Sequence, residues 1–131
     1  MVLNKMDYFD TNIILRFLLK DNETQYLDVI KKLDEIRKKS GFAVVLGEVV
    51  AECVYVMEKI YKIPRQDIGE SLVKFLKSSS VYCVEKDVLV STLNDYSVIN
   101  LAYVDILLIQ MVKKRGGKIF SFDKKLLAKS K

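Results

Sequence analysis

The chain reads as a single α/β domain over residues 1–131, with a mainly parallel central sheet of four or five strands flanked by helices. Three observations predict this. Short apolar runs without polar alternation recur along the chain, as in strands buried on both faces. Segments with apolar residues at helical spacing lie between them. A chain of 131 residues that is 50% hydrophobic has enough apolar mass for one compact core.

Residues 6 to 9 form the first predicted strand, and "TNIILRFLLKD" predicts a short helix over Ile13 to Leu19 with Thr11 or Asn12 as N-cap. Tyr26, Leu27, Ile30, Leu33 and Ile36 predict an amphipathic helix from Glu23 to Lys39, stopped by Ser40 and Gly41. "FAVVL" (42–46) is the second strand, and Glu48 to Lys62 the next helix. Pro64 suits the first turn of another helix, because a missing N–H costs nothing there. "VYCV" (81–84) is the third strand, followed by a helix over Asp87 to Tyr96. Val104 to Lys114 is strongly apolar and helical, closed by Gly116 and Gly117. "KIFSF" (118–122) is the fourth strand, and Lys124 to Lys129 a terminal helix.

Composition narrows the chemistry. Histidine is absent, which removes His-based acid–base catalysis, Ser-His and Cys-His nucleophile pairs and most zinc sites. Carboxylates, lysines, hydroxyls and a hard metal remain. Cys53 and Cys83 lie in apolar runs without metal-ligand spacing and read as reduced core residues of a cytoplasmic protein. No apolar stretch is long enough for a membrane span, and "MVLNKMDYF" does not read as a secretory leader. From Lys113 to Lys131 there are eight basic residues and one acidic, a charge of +7, whereas the other 112 residues hold 14 basic and 16 acidic. A basic tail suits either phosphate contact or a plain solvated surface.

Four carboxylates sit where solvation does not readily explain them. Asp10, in "YFDTNII", and Asp123, after "KIFSF", each follow a strand and precede a helix. Ligands of open α/β sheets gather at strand carboxyl ends, but either residue could equally cap its helix, worth about 1 kcal/mol. Glu52 interrupts "VVAECVYVM", a helix apolar enough to be buried on most sides, so it requires a cation or a narrow solvent-facing stripe. Glu48 lies one turn earlier on the same face. Asp105 interrupts "LAYVDILLIQMV" in the first turn, where the helix dipole also favours an anion. If the four converge they need a cation, and an all-oxygen set selects Mg²⁺ or Mn²⁺.

This order of residues resembles the PIN-domain ribonucleases, most closely the VapC-type toxins of toxin–antitoxin pairs. The resemblance spans nearly the whole chain. It rests on "YFDTNIILRFLL", "AECVYVMEKIYKIPRQDI" and "LAYVDILLIQMVKKRGGKIFSFDKKL". It implies catalytic, metal-binding roles for Asp10, Glu52, Asp105 and Asp123, with Glu52 preferred to Glu48. Thr11, Asn12 and Ser121 are expected to hold those carboxylates in place. Ser121 stands where the family commonly has threonine, and Tyr103-Val104 where many members have Phe-Ala.

The activity implied is hydrolysis of RNA phosphodiester bonds with Mg²⁺ or Mn²⁺, in a homodimer inhibited by a cognate antitoxin, with Lys124 and Lys125 as phosphate contacts. Two other readings compete: a PIN-like module that binds RNA or protein without cutting, and an RNA-processing nuclease without an antitoxin. A phospho-acceptor domain would want paired acids after the first strand, and "YFDTN" offers one.

Overall fold

The computed structural model describes residues 5–131. Its sheet is parallel throughout: β1 (Met6–Tyr8), β2 (Phe42–Val44) and β3 (Val81–Tyr82) lie in the order β1-β2-β3. Met6 is paired with Phe42 and Tyr8 with Val44, and β3 joins through Ala43–Val81 and Val44–Tyr82. The central strand and the residue after it carry Ala43, Val44 and Val45, all buried, as an apolar run covered on both faces should be.

Parallel neighbours require crossovers, and helices supply them. Between β1 and β2 run α1 (Thr11–Leu19) and α2 (Glu23–Lys38). Between β2 and β3 run α3 (Gly47–Tyr55), its π-helical continuation Val56–Ile60, and α4 (Arg65–Leu76). After β3 come α5 (Lys86–Tyr96), α6 (Tyr103–Arg115) and α7 (Lys124–Lys129). Helix α1 packs on α2 and α3, α4 on α5, α5 on α6, and α6 on α3. Gly69 permits the α4–α5 approach, because a Cβ there would stand 2.8 Å from the Leu93 carbonyl oxygen and collide with Ser97.

Two expectations are corrected. The sheet has three strands among the described residues, not four or five. "KIFSF" is not a strand: after Gly116 (φ 82°) and Gly117 (φ 101°), residues 116–123 run without joining the ladder. Left-handed glycines end α6 and redirect the chain, and an apolar run gains strand geometry only if an edge is there to pair with it. The second correction concerns Thr11 and Asn12, which lie inside α1; its N-cap is Asp10, in the capping role its place before the helix also allows. Among the described residues no helix is long and apolar enough to cross a membrane.

Candidate functional site

The first strand delivers Asp10 to the carboxyl edge of the sheet. The Phe9 N–H still donates to the Val44 carbonyl at 2.9 Å, so the backbone is held by β2 up to the residue before the carboxylate. Asp10 then caps α1, its Oδ1 accepting from the Ile13 N–H at 2.9 Å. The second carboxylate oxygen is left over. Thr11 is buried behind it and Asn12 is exposed, and neither side chain makes a hydrogen bond among the described residues.

The second strand leads into α3, which carries Glu52. Of the settings expected for Glu52, a cation or a narrow solvent-facing stripe, it takes the stripe: Glu52 is exposed, while Val50, Cys53 and Val54 enter the core. Glu52 and Asp10 line one open pocket of about 490 Å³, together with Thr11, Asn12, Arg16 and Tyr61. Glu48 is outside its lining. The π-helical turn closes the far wall. The Tyr61 N–H donates to the Val56 carbonyl at 3.1 Å, and that wider turn brings Val56, Ile60 and Tyr61 around to the pocket.

Both carboxylates act on Cys53, which lies fully buried beside them. Burial, then the negative charge of Glu52, then that of Asp10, push its thiol up to about 12. The pocket keeps its negative character because its one cation is occupied. Arg16 pairs with Asp21 at 3.1 Å and donates to the Tyr61 hydroxyl at 3.0 Å. Sequence reading passed over Arg16, although a lone cation in "IILRFLL" is as conspicuous as a lone acid in "VVAECVYVM".

The other two acids stand apart from this lining. Asp105 is half-buried in the first turn of α6, a helix that packs on α3. Asp123 is exposed and caps α7, accepting from the Leu126 N–H at 3.1 Å, while Ser121 Oγ accepts from the Asp123 N–H at 3.0 Å. A fourth parallel strand beside β1 would place its carboxyl end, and Asp123, near Asp10. That pairing is not made, and Asp123 does not line the pocket that Asp10 and Glu52 share. None of the four acids forms an ion pair among the described residues. Lys124 and Lys125 are exposed at the start of α7.

A third structure, invisible in the sequence, holds the approach to α6. Arg65 opens α4 and donates from Nε to the Tyr96 carbonyl at 3.0 Å, and from Nη2 to the carbonyls of Ile99, at 2.9 Å, and Leu101. Its Nη1 pairs with Glu58 at 3.0 Å, and Glu58 in turn accepts from the Tyr96 hydroxyl. One guanidinium therefore pins the loop that leads to Asp105.

Two carboxylates with hard oxygens, one spare Asp10 oxygen and no competing cation fit a hydrated magnesium-type ion, which takes one or two carboxylates and keeps several waters. Among the described residues no group of three or more acids or cysteines is assembled for a metal. The fit is to an open, water-rich site rather than a closed cage.

The family model of the PIN domain matches residues 8–131, a span that includes all four acids. Among curated proteins and solved structures there is no match.

Proposed function

The chain belongs to the PIN-domain family, whose members are generally metal-dependent nucleases, and on that premise we propose that it is an endoribonuclease of the VapC toxin type. The observation that carries this reading is the meeting of Asp10 and Glu52, from separate crossovers, at one pocket whose single cation, Arg16, is already paired with Asp21. Asp10 and Glu52 would hold a Mg²⁺ or Mn²⁺ ion, which when bound supplies an activated water and charge stabilisation for phosphodiester displacement. Asp105, at the start of α6, and Asp123, at the N-cap of α7, lie outside that pocket lining, and in this proposal they must join the ion or its waters once metal and RNA are bound.

The chain's own residues limit what else could do the work. Cys53 is buried and stays a thiol at neutral pH, and there is no histidine. Asp10 orients its carboxylate through the Ile13 N–H, leaving one oxygen for a ligand. Lys124 and Lys125 neutralise backbone phosphates. A cytoplasmic homodimer restrained by an antitoxin belongs to the same proposal, with Tyr55 and Ile60 exposed on the Glu52 helix and its π-helical continuation as partner contacts.

The test is Asp10→Asn, which should abolish Mg²⁺- or Mn²⁺-dependent RNA cleavage while the fold persists. Cleavage at the parent rate overturns the proposal. A second reading, a PIN module that binds without cutting, is favoured by one observation: the acids do not gather in a group of three among the described residues. A Mn²⁺ titration separates the two, since only the nuclease must bind the ion.

A further inference from the structure

Phe120 and Phe122 are 90% and 93% exposed, further out than any other large hydrophobic among the described residues. They do not lie on a loose tail. Ile119, between Lys118 and Phe120, packs against the core, and Leu126 in α7 is buried. Ser121 accepts from the Asp123 N–H, and Asp123 caps α7. The segment alternates: Ile119 and Ser121 turn inward, Phe120 and Phe122 outward. Their rings meet edge to face, centroids 5.8 Å apart and planes at 73°, which leaves at least one face of each open. Around them in the chain Lys118, Lys124 and Lys125 are exposed and form no ion pair among the described residues.

Two outward aromatic rings framed by free cations match an unpaired nucleic-acid strand, whose bases stack on aromatic faces while its phosphates seek lysine. A protein partner would leave those charges unanswered unless it were acidic. We propose that Phe120 and Phe122 form a stacking platform for unpaired bases of the RNA substrate, with Lys118, Lys124 and Lys125 along its phosphates. The inference rests on the nuclease reading for its choice of RNA. It specifies single-stranded or looped RNA rather than a duplex, because paired bases cannot present their faces to the rings. Asp123 adjoins Phe122, so the platform would bring the strand to that carboxylate.

The chain has no tryptophan, so Phe122→Trp introduces a single reporter. Binding is measured in the Asp10→Asn background with EDTA, so that cleavage plays no part, using a fluorescein-labelled single-stranded RNA and a blunt duplex of equal length. The expected results are tighter binding of the single strand and quenching of the reporter's indole fluorescence when unlabelled single strand is added to the Phe122→Trp variant. Loss of about tenfold or more in single-strand affinity is expected in the Phe120→Ala/Phe122→Ala variant. Single-strand affinity equal to the parent's in that double variant overturns the platform. So does a change from dimer to monomer in sedimentation with RNA affinity unchanged, which would make the pair a contact between copies. Cleavage of RNA by the parent chain is scored separately with Mn²⁺. Stacking without cleavage would sink the nuclease reading and keep the platform, and cleavage indifferent to both phenylalanines would do the reverse.

Discussion

The Arg65 guanidinium lies 3.7 Å from the centre of the Tyr96 ring and donates to the Tyr96 backbone carbonyl as well. One side chain thus grips both the face and the main chain of the last residue of α5, and from there reaches the loop before α6. Arg65→Ala would remove a cation–π contact, three carbonyl contacts and the partner of Glu58 together. The expected cost is about 2–4 kcal/mol in urea unfolding. Arg65→Lys keeps the charge but not the fork, and should recover less than half of it. A destabilisation below about 0.5 kcal/mol for the alanine variant would show that the loop is held by other means.

Glu58 yields a pH prediction. The Tyr96 hydroxyl, chiefly, holds its carboxyl below the ordinary 4.5; burial opposes this as the next largest effect, and Lys59 and then Arg65 add to the lowering. A group with a depressed folded pKa binds its proton more readily when unfolded, so its stabilising effect is full above 4.5 and is lost as pH falls through the lower folded value. The melting temperature should therefore drop as acid is added below that point, and the drop should be shallower in Glu58→Gln. Parallel melting profiles for the two proteins would rule out this contribution.

Capping by Asp10 and its proposed metal binding can be separated by choice of substitution. Asparagine still accepts from the Ile13 N–H, so Asp10→Asn should melt within about 0.5 kcal/mol of the parent, whereas Asp10→Ala should lose about 1 kcal/mol. Both should abolish cleavage. Glu52→Gln, on an exposed stripe, should change stability by less than about 0.5 kcal/mol and also abolish cleavage. An Asp10→Ala variant that is destabilised but fully active would leave the residue with a capping role alone.

Cys53 should resist alkylation in the folded protein at pH 8, because its thiol is buried and raised to about 12. Iodoacetamide labelling followed by mass spectrometry checks this, with labelling expected only after denaturation. Cys53→Ala should cleave RNA as the parent does. Rapid modification of the native chain would contradict the burial of α3.

Much of this protein is legible along the chain. Hydrophobic periodicity locates each helix to within a few residues, because which residues face inward is a local consequence of helical pitch. The three strands that formed lie within predicted ones: "FAV" and "VY" are apolar or aromatic runs between helices, and "MDY" is the short stretch before the first helix. The positions of Asp10 and Asp123 just before a helix follow from the same reading. A carboxylate just before a helix is placed to cap it, and both act as caps here. Arg65 was not legible, since its carbonyl partners are separated from it by about thirty residues or more and carry no side-chain signature.

By itself, then, the order of residues determined the α/β class, the absence of histidine chemistry and the handful of carboxylates worth watching. Only the tertiary structure decided that Asp10 and Glu52 share a pocket, that Glu52 faces solvent, and that "KIFSF" stands outside the ladder with two rings in the open. The physical reason is the range of the forces. Pitch, capping and turn formation act over a few residues and leave a trace in the sequence. Strand pairing and pocket assembly depend on segments far apart in the chain, and only the packed core brings those into contact.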